Sequence, residues 1–157
     1  MKPYAIAAAL TCAALGLTAC SEPARGGGNA KICVDFKAAK APVAAPGAPG
    51  ADGAARVDEC VKRWAYSLAP SRDDAGVVAE AAKSACGAQL ASWNQQIVDQ
   101  PGAADGESAS ILTGEPTTPL AEHNAYAERR ALFYVVQARA GSCAAPPAKD
   151  GVPEGVG

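Results

Sequence analysis

The positions of six cysteines constrain what this chain of 157 residues can fold into more than any other feature. They are Cys12, Cys20, Cys33, Cys60, Cys86 and Cys143. None belongs to a C-x-x-C pair, whereas structural zinc sites usually contain closely spaced ligand pairs. His123 is the only histidine, so the sequence predicts no metal site and no cofactor. A catalytic thiol is also disfavoured, because it needs an activating base and would leave another cysteine unpaired.

The N-terminal residues have the features of an exported chain. Lys2 is a short basic start, and the run from Tyr4 to Leu17 is apolar and uncharged. This run fits the ~7–15 residue apolar region of a signal peptide and is shorter than the ~20 residues of a membrane-spanning helix. It ends in Leu17-Thr18-Ala19-Cys20, which resembles the lipobox of bacterial lipoproteins. We therefore expect residues 1–19 to be a cleaved signal peptide.

The lipobox resemblance implies that Cys20 is lipidated. In bacterial lipoproteins the cysteine thiol is alkylated with diacylglycerol, the preceding peptide is removed, and the new amino group is acylated. Two acyl chains already anchor a protein stably. We therefore expect a palmitate-bearing lipoprotein that is held on a bacterial membrane and faces the periplasm. Ser21 stands where Asp favours inner-membrane retention in enterobacteria, so the sequence favours the outer membrane.

Four cysteines remain once Cys12 is lost with the signal peptide and Cys20 carries lipid. They lie in a compartment that permits disulfides, and four cysteines allow three pairings. Such bridges matter because the chain is 49% hydrophobic but only 5% aromatic. Much of its apolar content is Ala, which buries little surface, so we expect a thin core that disulfides support.

Three helices are predicted between residues 54 and 143, in an all-α domain stapled by disulfides. The first runs from Ala54 to Ala69, and Pro70 ends it. Its apolar residues follow the i, i+3, i+4, i+7 spacing of one helix face. This stripe comprises Val57, Cys60, Val61, Trp64 and Leu68.

The second helix is predicted to begin at Ser71 and to end before Pro101-Gly102. Asp73 and Asp74 complement the positive end of its dipole. Its apolar stripe comprises Val78, Ala82, Cys86, Leu90, Trp93 and Ile97. Because the connecting turn is short, the first two helices should be antiparallel.

The third helix is predicted to follow the N-cap Thr118, with Pro119 in its first turn, and to end at Ala140 before Gly141. Residues 131–136 in its middle are apolar nearly all round, which would also fit a buried strand. We prefer a helix because good helix formers flank this run on both sides.

The helix stripes indicate which cysteines meet. Cys60 and Cys86 face the seam between the first two helices, about ten and fifteen residues from the turn, which gives a stagger of about 7 Å. A disulfide tolerates Cα separations of about 4.4–6.8 Å, so the helix crossing or an asymmetric turn must absorb the difference. Cys143 lies near that turn if the third helix is antiparallel to the second. Elimination then favours the pairs Cys60–Cys86 and Cys33–Cys143.

The segments outside the helices are predicted to be irregular. Residues 20–53 read as a flexible tether rich in Gly, Pro and Ala, with a short extended segment at 31–37. Residues 101–117 form a polar loop that contains Gly and Pro. Residues 144–157 are expected to be a disordered tail.

Two stretches of the mature chain carry a second resemblance. They are the series Cys60, Trp64, Tyr66, Leu68, Ser71 and Cys86, and the run 133–141 before Cys143. They look similar to small uncharacterised envelope proteins of alphaproteobacteria. That group has no known activity, so the resemblance implies no catalytic or binding residue.

No motif in the chain indicates catalysis. Phosphate-binding Gly loops, H-E-x-x-H and G-x-S-x-G are absent, and a net charge of −2 with mixed signs leaves no footprint for nucleic acid. His123 is expected to be a solvated helix residue, and Trp64 and Trp93 are expected to pack in the core. Arg129-Arg130 could contact anionic envelope groups, although such charges are commonly only solvated. No paired-carboxylate geometry is evident among the acidic candidates Glu122, Glu128, Asp73 and Asp74.

We therefore expect a non-enzymatic envelope lipoprotein that binds a protein or cell-wall partner, because an anchor, a tether and a small module occur together without a catalytic motif. Two alternatives stay open. A small hydrolase-like enzyme would need two carboxylates at catalytic separation in a polar pocket. A carrier of apolar ligands would need a cavity beside Trp64 and Trp93.

Overall fold

A computed structural model describes residues 29–36, 51–100, 108–110 and 113–156. The predicted signal peptide, Cys20 and most of the predicted tether lie outside the described residues. The described residues form four α-helices: α1 (Ala51–Leu68), α2 (Ala75–Ala85), α3 (Gly87–Val98) and α4 (Pro119–Gly141). The predicted all-α, disulfide-stapled domain is confirmed.

The helices α1 and α4 form the centre of the domain, and α2 and α3 pack against both. Their shared core is built largely from Ala and Val, which lets the helix backbones lie close together. The fully buried side chains at this centre include Val57, Val61, Ala65 and Tyr66 of α1 with Ala127, Ala131 and Val135 of α4. Tyr66 is the one aromatic residue among these seven and supplies the largest side chain at this centre.

The second predicted helix is two helices in the structure, which corrects the prediction of one continuous helix. α2 begins at Ala75 rather than at Ser71, because the side chain of Asp74 caps it and accepts the Gly76 N–H at 2.8 Å. The break falls at Cys86, whose φ of −100° and ψ of 18° leave the helical region, just before Gly87. Glycine has weak helix propensity, so the chain can bend here at little cost.

One arginine fixes the reversal between α1 and α2. The Arg139 side chain on α4 donates to the carbonyl oxygens of Ala69 at 3.0 Å, Ser71 at 3.1 Å and Asp73 at 2.8 Å. Carbonyl groups at a helix C-terminus lack partners within the helix. Arg139 satisfies such groups and joins this turn to the C-terminal half of α4.

The ends of α4 follow the predicted caps with one difference. Thr118 Oγ1 accepts the Ala121 N–H at 3.2 Å at the N-terminus. At the C-terminus, Ser142 takes the left-handed conformation with φ of 52°, whereas Gly141 remains helical. Glycine is required at 141 for space: a Cβ there would lie 2.5 Å from Cys143 Sγ and 2.7 Å from Cys33 Sγ.

The segment 31–37, which was predicted to be extended, begins instead with a helical turn in the structure. Residues Ala30–Ile32 form a 3-10 turn, which Asn29 caps by accepting the Lys31 N–H at 3.2 Å. The backbone becomes extended only at Cys33, and the Phe36 side chain is buried. The cap formed by Asn29 outweighs the weak alternation of apolar residues in this short stretch.

Two short hairpins complete the described structure. In the predicted loop, β1 (Ser108–Ala109) pairs with β2 (Pro116–Thr117) in antiparallel register. In the predicted tail, β3 (Ala148–Lys149) pairs with β4 (Val152–Pro153). Asp150 and Gly151 between β3 and β4 have φ of 52° and 81°, as a tight hairpin turn requires.

The C-terminal hairpin is docked on α1, which differs from the tail predicted for 144–157. Pro153 is fully buried. Arg63, itself buried, donates to the Glu154 carbonyl at 2.7 Å and to the Glu59 carboxylate at 2.6 Å. The Gln89 side-chain amide also donates to the Val156 carbonyl. These bonds account for an ordered segment in a stretch of low sequence complexity.

Candidate interaction surface

Both predicted disulfides are present in the structure. Cys60 of α1 and Cys86 at the break between α2 and α3 have a Cα separation of 5.9 Å. The bend at Cys86 is the means by which the expected stagger is absorbed. Cys33 and Cys143 have a Cα separation of 5.5 Å, and their disulfide fastens the N-terminal described segment to the chain two residues beyond α4.

Hydrogen bonds around the Tyr66 hydroxyl also hold the N-terminal segment that the Cys33–Cys143 disulfide attaches to the domain. The Tyr66 hydroxyl accepts the Val34 N–H at 3.3 Å and donates to Gln137 Oε1 at 3.0 Å. The Gln137 amide in turn donates to the Ile32 carbonyl at 2.7 Å. Burial raises the pKa of Tyr66, and the hydrogen bond from Val34 opposes only part of that rise. The neutral hydroxyl therefore joins three elements: the N-terminal segment, α1 and α4.

A second polar cluster joins α1 to α4. The Tyr134 hydroxyl donates to Asp58 Oδ2 at 2.8 Å, and the Arg130 guanidinium bonds both the other Asp58 oxygen and the Tyr134 hydroxyl. Burial raises the pKa of Tyr134, and the neighbouring Asp58 carboxylate raises it further. The guanidinium also lies 5.4 Å from the Phe133 ring centroid. The cluster therefore fixes the rotation of α4 and hence the direction in which its outer residues project.

The outer side of α4 exposes a contiguous apolar surface. Leu132 is 41% exposed, and Phe133 and Val136 are each 51% exposed. Their i, i+3 and i, i+4 spacing places them side by side, and we call these three residues the α4 apolar face. The run 131–136 is thus half exposed, because Ala131, Tyr134 and Val135 face the core. Exposed apolar clusters commonly mark interaction sites.

Arginine residues of α4 lie close to the α4 apolar face. Arg129 is exposed and lies one turn before Leu132 and Phe133. From Arg129 to Gly141 the helix contains three arginines and no acidic residue. The nearest acid on the N-terminal side, Glu128, is exposed and pairs with Lys83 of α2 at 3.5 Å. This half of α4 is therefore both apolar and cationic, in a chain whose net charge is −2.

His123 is buried near the other end of α4, so the prediction of a solvated histidine is wrong. Its ring stacks on Trp93 with centroids 3.5 Å apart, and its Nδ1 lies 2.8 Å from Asn94 Oδ1. Desolvation lowers the pKa of His123 below its ordinary value of 6.5. Gly53 of α1 also lies against Trp93, so closely that a Cβ at position 53 would collide with the indole ring. Trp93 is therefore packed between His123 and Gly53. These contacts give His123 a packing role between α3 and α4.

The buried His123 makes the stability of the domain depend on pH. Because the unfolded chain takes up the proton more readily, we expect the free energy of unfolding to fall as the pH drops below about 6.5. A His123→Gln variant should lose most of this dependence between about pH 7 and pH 5. Urea unfolding monitored by tryptophan fluorescence at several pH values measures it. A wild-type profile that matches the variant's across this range would contradict the assignment.

Trp93 is buried and Trp64 is partly buried against the core. Two cavities lie instead at the Cys33–Cys143 end of the domain. One, of about 430 Å³, is lined by Val34, Asp35, Phe36 and residues 144–147. The other, of about 230 Å³, is lined by Ala69, Pro70, Ala138, Arg139, Ser142 and Cys143. Neither lining contains a tryptophan, so these two cavities do not support the hypothesis of a ligand held beside Trp64 and Trp93.

The acidic candidates each have a separate role or partner in the described structure. Asp73 bonds Ser71, and Asp74 caps α2. Glu122 lies in the first turn of α4, and Glu128 pairs with Lys83. Within the described residues, no group of three or more His, Cys, Asp or Glu side chains is arranged to hold a metal ion. In the same part of the chain, no helix has the length and apolar character needed to cross a bilayer.

No family model, curated protein or solved structure matches this chain. The interpretation of the α4 apolar face therefore depends on the chain's own residues. The sequence pattern contained part of the signal, because a helix apolar on all sides is either fully buried or covered by a partner. The clusters around Tyr66 and Tyr134 had no such signal, since their members are far apart in the sequence.

Proposed function

We propose that this protein is a lipid-anchored envelope lipoprotein whose helical domain is a non-enzymatic binding or structural module. The observation that carries the proposal is that all four cysteines after Cys20 pair in two disulfides. Structural disulfides persist in oxidising compartments such as the bacterial periplasm. They agree with export through a signal peptide and with the lipobox-like Leu17–Cys20. Ser21 favours the outer membrane as the site of anchoring.

The arrangement of α4 supports a binding role. The α4 apolar face is held in a fixed direction by the Asp58 cluster on one side of the helix and by Arg139 at its end. A rigid helix with an exposed apolar and cationic face is suited to contact another envelope component. The partner classes that fit a periplasmic location are an envelope protein, the cell wall and the membrane itself.

Replacement of Cys20 tests the anchor directly. We expect Cys20→Ala to abolish incorporation of labelled palmitate and to release the protein from the membrane fraction, because the acylated thiol is lost. Cys12→Ala is the matched control, since Cys12 lies in the predicted signal peptide and should not affect labelling. Labelling is measured on protein immunoprecipitated from growing cells. Undiminished palmitate in Cys20→Ala would overturn the proposal.

A further inference from the structure

We propose that the α4 apolar face lies on the surface of the bilayer that holds the Cys20 lipid. Leu132, Phe133 and Val136 would then enter the boundary between headgroups and acyl chains, and Arg129 would contact lipid phosphates. This inference rests on the proposed lipid anchor. It adds a defined orientation: the C-terminal half of α4 faces the membrane, and α3, which packs near the N-terminal end of α4, lies farther from it.

The path of the chain brings this end of the domain to the membrane. The Cys33–Cys143 disulfide joins the first described segment to the chain two residues beyond α4. The chain from Cys20 to Asn29 spans at most about 32 Å, whatever its conformation. Val136 and Leu132 precede Gly141 by about 8 and 14 Å along the helix. The chain that leads to Cys20 therefore enters the domain at the C-terminal end of α4, the half of the helix that carries the α4 apolar face.

The chemistry of this face matches an anionic bilayer. Helices that lie in a membrane interface combine large apolar residues such as Phe and Leu with basic residues on the polar side. Arg129 has an exposed position beside the face, and its apolar stem can follow Leu132 while its guanidinium extends to phosphate. The charge of Arg130 is neutralised by its ion pair with Asp58, and Arg139 is held by backbone carbonyls, so Arg129 is the arginine of this half of α4 that is placed to contact phosphate. The helix has no acidic residue between Arg129 and Gly141, and the charge of Glu128, one turn before Leu132, is balanced by Lys83.

The small size of the face favours a bilayer over a second protein. Stable protein interfaces bury about 1,200–2,000 Å² in total. Three side chains that are about half exposed supply only a small part of such an area. A domain already tethered by lipid needs little additional contact, because the tether keeps the local concentration of the membrane high. Weak insertion of three side chains is therefore sufficient to orient an anchored domain.

Photo-crosslinking of the lipidated, full-length protein tests this orientation in cells. The amino acid p-benzoylphenylalanine in place of Phe133 is expected to form an adduct with phospholipid on irradiation. The matched control carries it in place of Val98 on α3, which is also 51% exposed. Val98 lies one turn beyond Asn94, which contacts His123 near the opposite end of α4. Little lipid adduct is expected from position 98.

Two further readouts make the result decisive. Adding Leu132→Glu and Val136→Glu should abolish the lipid adduct at position 133, because each charge would have to enter apolar lipid. Mass mapping of both disulfides in every variant verifies the fold. Equal lipid adducts at 133 and 98, or crosslinks from 133 only to protein or to a second copy, would overturn the inference.

Palmitate labelling of the same samples separates the two proposals. Labelled protein without a lipid adduct at position 133 would refute the membrane orientation and leave the anchor standing. Protein without palmitate would refute the anchor and the orientation together. Labelled protein with a lipid adduct at 133 and little at 98 is the result we expect.

Discussion

Removal of the Cys33–Cys143 disulfide by Cys33→Ala and Cys143→Ala is expected to lower the free energy of unfolding by about 4–5 kcal/mol. This bridge closes a sequence separation of 110 residues. In the chain-entropy account, a long closed loop restricts the unfolded chain strongly, so its loss favours unfolding. Urea unfolding monitored by circular dichroism measures the change. A loss below about 1 kcal/mol would contradict the structural role of this bridge.

The second bridge provides the matched comparison. The Cys60–Cys86 disulfide closes a separation of only 26 residues, so Cys60→Ala with Cys86→Ala should cost about 3–4 kcal/mol. Both cysteines are almost fully buried between α1 and the break before α3. If this shorter bridge proves to contribute more than the longer one, native-state packing around Cys86 outweighs the restriction of the unfolded chain.

Tyr66→Ala is expected to destabilise the domain by about 3–5 kcal/mol, which is typical of truncating a buried aromatic side chain. Tyr66 has no exposed surface, and its ring contacts Phe36 edge-on with centroids 5.1 Å apart. Truncation leaves a cavity in a core that is built largely from Ala and Val, and it removes the partner of Val34 and Gln137. Urea unfolding measures the loss of stability.

Tyr66→Phe separates the hydroxyl from the ring. It preserves the packing but leaves the Val34 N–H and Gln137 Oε1 without their partner, at a cost of about 1–3 kcal/mol. Hydrogen exchange should show the loss of protection at Val34 before any change in the helices. If the two variants were equally destabilised, the hydroxyl rather than the ring would be the main contribution of Tyr66.

The helices and the Cys60–Cys86 pair were predictable because they follow from local periodicity, and Cys33–Cys143 then followed by elimination. The stripe of α1 puts Cys60 on the core side, and the stripe of the next helix does the same for Cys86. Thr118 and Pro119 likewise mark the start of α4 by local chemistry alone. The break at Cys86 was not predicted, because the apolar spacing continues through it and only Gly87 signals a weak point.

Other features depend on tertiary contacts that no local pattern contains. His123 looks like a polar helix residue, yet the positions of Trp93 and Asn94 on α3 make it a buried one. The docked C-terminal hairpin had a usable signal in Asp150-Gly151, a pair typical of tight hairpins. The docking of this hairpin on α1 had no sequence signal, because the bond from Arg63 to the Glu154 carbonyl joins residues far apart in sequence.

The state of the thiols in living cells tests the central claim most directly. Free thiols are blocked with an alkylating reagent in intact cells, and the non-reduced peptides are then mapped by mass spectrometry. We predict peptides joined by Cys60–Cys86 and by Cys33–Cys143, with no alkylation of these four residues. A full-length cytosolic chain with all four alkylated, or a Cys33–Cys60 linked peptide, would contradict the account.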